Sequence, residues 1–361
     1  MRTPALHRAA VTAFAIVLTV LLPAGTALAC GGLVAPNGTI SLTRTTTLAA
    51  YHDGVEHYVT SFEFAGASAG EVGSIVPLPG VPIRVIKGGD WTLQRLVLET
   101  QPQERAVAFE AAGTASPSAD AVVILEKQID ALDITVLKGG AFSVGDWARE
   151  HGFFLPPDAP EVLQFYASRS PYFMAARFDA AAAAARGIGE GEGTPIHLVI
   201  PTDNPWVPLR ILGLGRDPAD RVQADVFLLT DHEAAVLPQA GEPSRFLADQ
   251  TGLIREVSEP ASDQLITDLR SDRGMAWMPD DFWLTYLRVN APAGELTYDL
   301  AIDGSGAGLP DPAATGLGSG AVDNGGPLPT FALVAILLTV LVAIAVAVET
   351  DRGRSGHGPA V

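Results

Sequence analysis

The sequence predicts an α+β fold: a β-rich extracytoplasmic domain of mixed or antiparallel sheet with few short helices, followed by one C-terminal transmembrane helix. Three observations predict it. Short runs rich in Val, Ile and Leu, punctuated by Gly and Pro, recur between residues 30 and 303 and read as half-buried or buried strands. Apolar stripes at helical spacing are few and short. Uncharged apolar segments stand near both ends of the chain, at Ala9–Leu22 and Thr330–Val348.

Residues 1–29 read as a secretory signal. Arg2, His7 and Arg8 make a positive start, Pro23 and Gly25 end the apolar stretch, and Ala27-Leu28-Ala29 supplies the small residues of a cleavage site. The stretch is short for a bilayer span, which favours cleavage. Cys30, the only cysteine, would then begin the mature chain. A lone thiol makes no internal disulfide, so the domain stands on its core. Lipid attachment at Cys30 is one reading. A plain mature terminus is the other, and Ala27 favours it, since lipoprotein signals usually carry Leu at that position.

Residues 30–303 are long enough for one large domain. Thr45–His52 and Val55–Phe64 flank Asp53-Gly54, a pair suited to a two-residue hairpin turn. A second hairpin is read from Trp283–Val289 to Leu296–Ile302. Further strands are expected at 73–77, 83–86, 121–129, 134–137, 173–178, 196–200, 209–212 and 224–229. Helices are expected at Trp91–Glu99 capped by Asp90, Val144–His151 capped by Ser143 and closed by Gly152, and Glu161–Ser168 after Pro160. Two more are read at Ala180–Ala185 and Pro260–Arg270. Ser74-Ile75-Val76-Pro77 followed by Pro82–Ile86 is echoed by Val199-Ile200-Pro201 followed by Pro208–Leu212. The echo admits a duplicated β unit or two unrelated Pro-punctuated hairpins.

Residues 304–327, rich in Gly, Ala and Pro, read as a flexible tether of roughly 25–30 Å mean reach. Residues 328–348 form the membrane helix, because in lipid only a helix satisfies its own backbone. Residues 349–361 form the tail. The flank 304–327 has no Lys or Arg and the tail has Arg352 and Arg354, so the tail is expected in the cytoplasm and the domain outside. The localisation read from this is the cell membrane, single-pass. Leu309-Pro310-Asp311-Pro312 and Leu328-Pro329-Thr330-Phe331 both miss the wall-sorting pattern.

The chain carries 41 acidic and 23 basic residues; signal and tail hold 2 and 4 of them, leaving 39 against 19 and a net charge of −20 between. Such a surface repels nucleic acid and anionic headgroups, and excludes a nucleic-acid partner. No Gly-x-Ser-x-Gly elbow is read, nor a phosphate-cradling Gly-Lys-Ser loop. No residue is therefore assigned a catalytic role. His52 and His57 lie in the first and third pairs of the Asp53-Gly54 hairpin, hence on one face, and are the candidate metal ligands; zinc would need a third. The alternative for them is a solvated polar face. Asp299 with Asp303, and Asp280 with Asp281, make carboxylate-bearing turns for a structural calcium, the one cofactor considered. Trp206, Trp277, Trp283, Tyr166 and Tyr172 are rings that could stack on sugars, but core packing or a tryptophan finishing a hairpin explains them better; Trp206, between Pro205 and Val207-Pro208, is the one that could be exposed.

Cys30-Gly31-Gly32, the run Gly73-Ser74-Ile75-Val76-Pro77-Leu78-Pro79-Gly80-Val81-Pro82, and Trp147–Pro156 resemble an uncharacterised bacterial family, domain of unknown function 2330. Val207-Pro208-Leu209-Arg210 and Leu284-Thr285-Tyr286-Leu287 extend the resemblance over most of residues 30–302. It implies an exported envelope protein with a membrane span, and no activity. Some members carry a second cysteine after the Cys-Gly-Gly start; Leu33-Val34-Ala35 stands here, so no disulfide role carries over. The expected function is a non-enzymatic binding module of the envelope, held by its C-terminal helix, with an envelope protein or glycan as partner. The alternative is an extracytoplasmic hydrolase or metal-dependent enzyme.

Overall fold

The strands follow one another along the chain as β1 (Gly32–Val34), β2 (Ser41–Leu42), β3 (Thr45–His52), β4 (Val55–Thr60), β5 (Phe64–Ala65), β6 (Val72–Leu78) and β7 (Arg84–Lys87). Helix α1 (Thr92–Thr100) precedes β8 (Val122–Ile129) and β9 (Leu132–Lys138), and α2 (Ala141–Glu150) and α3 (Ala159–Ala167) precede β10 (Tyr172–Phe178). Then come β11 (Ile196–Pro201), β12 (Trp206–Val207), a 3-10 turn at Arg210–Gly213, β13 (Arg221–Thr230) and β14 (Ala235–Leu237). The chain closes with β15 (Leu253–Pro260), α4 (Asp263–Ser271), β16 (Trp283–Pro292), β17 (Leu300–Asp303) and α5 (Pro312–Thr315). This computed structural model describes residues 32–34, 41–42, 45–61, 64–65, 72–100, 121–153, 155–179, 194–241 and 252–316. They belong to one compact unit, Met1–Leu317.

A seven-stranded mixed sheet, in the order β15-β16-β13-β3-β4-β11-β7, forms the middle layer. Only the β13–β3 pair in it is parallel. One face carries Leu48, Ala50, Val59, Phe227 and Leu229, covered by Leu93 and Leu96 of α1 and by Leu265, Ile266 and Leu269 of α4. The alternate residues, including Tyr58, Leu198, Ile200 and Leu228, face the antiparallel five-stranded sheet β1-β6-β10-β9-β8, the small sheet β12-β17-β14, and helices α2 and α3. Strand alternation thus divides one sheet between two cores. Each fully buried Leu or Phe contributes about 1.5–3 kcal/mol of transfer free energy.

The Asp53-Gly54 hairpin forms as read, with φ of 50° and 73° at the two turn residues, the left-handed pair of a type I′ turn. Seven of the eight single strands expected are present with shifted ends. The exception, 209–212, is a 3-10 turn, because Asp299 accepts the backbone N–H groups of Leu209 and Arg210 and removes them from any ladder. The second hairpin is also corrected. Trp283–Pro292 pairs instead along ten residues with β13 and on its other side with β15, while Leu300–Asp303 joins β12 and β14. The two echoed segments consequently differ: β6 and β11 lie in different sheets, and Pro82–Ile86 leads into β7 where Pro208–Leu212 leads into the 3-10 turn.

Helix α1 is capped across space. Asp272 accepts from the N–H groups of Asp90 and Trp91, both at 3.0 Å, and from the Thr92 hydroxyl at 2.7 Å. The expected cap, Asp90, does not serve. A Cβ at Gly89 would meet the Asp272 carboxylate at 2.2 Å, so glycine there is what lets Asp272 approach. Burial raises the Asp272 pKa, but the hydrogen bonds from Thr92, Trp91 and Asp90 outweigh it and hold the carboxyl below its ordinary value. Its contribution is therefore present above the unfolded value and lost as pH falls through the lowered one. Asp272→Ala is expected to cost about 2–3 kcal/mol in urea unfolding at pH 7, with no change in slope. A loss below about 0.5 kcal/mol would show that the helix start does not depend on this carboxylate.

Helix α2 starts at Gly140 without a side-chain cap, so Ser143 lies inside it; Gly152, at φ 81°, ends it as expected. Ser262 caps α4 by accepting from Leu265 N–H, which places the start after Pro260. The expected helix at Ala180–Ala185 lies outside the described residues. The packed chain also runs on past residue 303. Ala314 and Thr315 are buried, Asp299 N–H donates to Thr315 O at 2.9 Å, and Arg169 donates to Ala314 O. The first part of the expected tether is thus folded onto the domain. Among the described residues no helix is long and apolar enough to cross a membrane, and the Thr330–Val348 segment lies outside them.

Candidate functional site

The hairpin register puts His52 opposite Val55 and His57 opposite Ala50, so the two histidines share a face as expected. They do not converge. His52 Nδ1 lies 2.6 Å from Asp231, and its ring meets Phe282 edge-on. His57 turns to His197 of β11, with Nδ1 and Nε2 2.9 Å apart, and Trp277 stacks flat on it at 3.4 Å. His197 faces the same way because it stands two residues before Val199, the cross-strand partner of His57. His197 is 1% exposed, and its Nδ1 has no partner. Burial, with His197, His52 and Arg84 nearby, lowers His57 to a pKa of about 3. Burial and Arg84 lower His197 to about 4. Both imidazoles are therefore neutral at physiological pH, one donating to the other. Among the described residues no three His, Cys, Asp or Glu side chains are placed to hold a metal.

Two carboxylates lie fully inside the protein. Asp299 accepts from Tyr166 O–H at 2.8 Å, from Leu209 and Arg210 N–H, and from the Arg169 guanidinium. Burial raises its pKa, and Arg169 opposes that rise. Asp303 is spent separately, on Ser305 and Leu309 N–H, so the pair read as a calcium turn is split between two hydrogen-bond sets. Glu56 sits on the opposite face of β4 from His57, is 0% exposed, and neither oxygen makes a hydrogen bond. Burial raises its pKa to about 8; the nearby Trp206 N–H pulls it down without reaching hydrogen-bond geometry. Trp206 is buried against Tyr166 with its ring 5.8 Å away, so core packing and not an exposed ring is its place.

A cavity of about 320 Å³ lies on the five-stranded sheet, lined by none of these groups. Its floor is the outer face of β8, β9 and β10, where register lines up Gln128, Asp133 and Arg177, and next to them Glu126, Thr135 and Ala175. Lys127 and Ile134 pair on the opposite face, so they reach the cavity through backbone atoms. Trp147, His151 and Phe153 form the other wall. They can lie there because β6 carries Gly73 beside Arg177: a Cβ on Gly73 would fall 1.8 Å from the Phe153 ring. His151 stacks on Trp147 at 3.9 Å, and its Nδ1, 2.8 Å from the Trp147 carbonyl, must be the donor. Its Nε2 is then the free nitrogen. Trp147 Nε1–H is buried and makes no hydrogen bond. Asp133 accepts from Arg177 at 2.8 Å and Gln128 at 3.2 Å.

Sequence reasoning passed over this site. It drew the strands and the Trp147 helix but had no means of stacking them, and Gly73 was the one clue to a close approach. It also passed over Gly66-Ala67-Ser68-Ala69-Gly70, which fits the Gly-x-Ser-x-Gly spacing. That string lies outside the described residues, between β5 and β6 in the chain. Cys30 is outside the described residues as well. A second, wider hollow of about 830 Å³ lies between β14 and the 305–310 segment, lined by His232, Glu233 and Arg255.

Fold and site together define a β-rich α+β protein with a polar cavity on its five-stranded sheet. The chain belongs to the family described as an uncharacterised protein conserved in bacteria, domain of unknown function 2330, whose model matches residues 24–245. The match includes every residue lining the 320 Å³ cavity and His52, His57 and His197, and ends before β15, so Trp277 lies beyond it. No curated protein matches the chain. The crystal structure of baculovirus P35 aligns over 74% of this chain and 97% of its own, at 8% identity and a TM-score of 0.40, which is too low to carry an argument.

Proposed function

We propose that this protein is a single-pass, membrane-anchored module of the bacterial envelope, whose domain outside the cytoplasm binds a ligand without transforming it. The cavity carries the reading. Its volume is in the range of small-molecule sites, its walls are polar and charged, and it holds a buried indole N–H with nothing to donate to. The ends of the sequence support the location: residues 1–29 read as an export signal, residues 304–327 as a tether, and residues 328–348 as an apolar membrane segment. The hydrolase or metal-enzyme alternative draws on His57 and His197. Trp277 covers the first and the sheet buries the second, which favours a structural role for the pair.

The location is tested in spheroplasts carrying a C-terminal tag. Added protease is expected to digest the domain and leave the tagged tail intact, and mass spectrometry is expected to find a mature chain beginning at Cys30. A domain that survives protease until the membrane is lysed would overturn the topology.

A further inference from the structure

Taking the cavity as a binding site, the geometry points to its ligand: we propose that the space between β8–β10 and Trp147–Phe153 takes a small group bearing an ammonium beside a carboxylate or carbonyl, as in an α-amino acid or the first residue of a peptide. The proposal rests on the binding reading above and deepens it.

Four observations select this chemistry. The Trp147 Nε1–H is buried and unpaired, so an occupant must bring an acceptor. The indole ring itself is 3% exposed, with His151 stacked on it and Phe153 beside it, so its face is not offered. A sugar, which binds by stacking on an open aromatic face, is disfavoured. The side chains on the floor are two carboxylates, Glu126 and Asp133, against one guanidinium, Arg177. Arg177 and Asp133 already answer each other at 2.8 Å, which leaves Glu126 to face the ligand and makes the site net negative while His151 is neutral. A plain anion is therefore repelled, and an ammonium is drawn to Glu126. A volume near 320 Å³ stands at the low end for ligand sites and suits a group of amino-acid size. His151 Nε2, left free by the Nδ1 bond to the Trp147 carbonyl, adds an acceptor for a second ammonium proton.

The test is calorimetric titration of the purified full-length protein in detergent. The probes are free amino acids, di- and tripeptides with free amino termini, the same compounds N-acetylated, simple amines, simple carboxylates and N-acetylated amino sugars. Amino acids or free-amine peptides are expected to bind, and which of the two binds more tightly identifies the source. N-acetylation is expected to weaken binding about tenfold or more, as are Glu126→Gln on the exposed edge strand and Trp147→Phe. Glu126→Gln guards against misfolding of the tryptophan variant, since Glu126 is exposed and its loss leaves the core untouched. Equal binding of acetylated and free amines, or binding indifferent to Glu126→Gln, would overturn the ligand class. Binding of an amino sugar or carboxylate that is lost in Trp147→Phe would also overturn it, while upholding the cavity as the site. Absence of binding by every probe would count against both this inference and the binding-module reading.

Discussion

Replacing Glu56 by glutamine is expected to stabilise the protein at neutral pH by on the order of 3 kcal/mol, raising its melting temperature by roughly 6–12 °C. Glu56 is sealed between sheets without a hydrogen-bond partner, and burial lifts its pKa from 4.5 to about 8. The folded chain thus keeps a proton that the unfolded chain gives up. Where the native state binds more protons, stability falls as pH rises. The Glu56 contribution is fully present below about 4.5 and lost progressively as pH climbs to about 8. Glutamine cannot ionise in either state, so the variant escapes that loss at pH 7 and gains little at pH 4.5. Urea unfolding at the two pH values checks this: an equal effect at both would mean that Glu56 does not hold its proton in the fold.

His57 and His197 work in the opposite direction, with folded pKa values of about 3 and about 4. Their contribution is present above 6.5 and lost as pH falls, because the unfolded chain takes up two protons that the fold refuses. Between about 4.5 and 6.5 the two histidines outweigh the single glutamate. Between 6.5 and 8 only the glutamate is left. Wild-type stability should therefore peak near pH 6.5 and decline by about 1.4 kcal/mol per unit on either side. In Glu56→Gln the alkaline limb should flatten and the acid limb steepen.

Asp299→Ala is expected to be the most damaging single substitution, costing about 3–5 kcal/mol and roughly 10–15 °C in melting temperature. Its side chain ties four parts of the chain together: Tyr166 of α3, Arg169 beyond it, the 3-10 turn through Leu209 and Arg210, and its own strand entry at β17. Alanine leaves the partly buried Arg169 guanidinium without its counter-charge and orphans two backbone donors. Asp299→Asn keeps an acceptor and should cost less. Tyr166→Phe should add little on top of Asp299→Ala, because both changes empty one network. A loss under about 1 kcal/mol for Asp299→Ala would show that the network relaxes around its absence.

The local elements were legible wherever a short-range rule governs them. Asp53-Gly54 dictates its turn through backbone sterics alone, and short apolar runs such as Ile196–Ile200 announce buried strands whatever they pair with. The shared face of His52 and His57 followed from counting pairs across that turn. The same alternation could not say which strands would be neighbours. β16 therefore looked like the arm of a hairpin, whereas its ten-residue register belongs to β13.

What the sequence by itself determined is the α+β class, the first hairpin, most strands, and the family to which the chain belongs. Only the tertiary structure decided that His57 meets His197, that Asp272 caps a helix 180 residues away, that Glu56 is sealed, and that Trp147 closes a cavity over Arg177. The reason is physical. Turn and strand preferences act over a few residues, whereas caps, cavities and shifted pKa values depend on which distant surfaces come into contact, and each element carries only one half of that match.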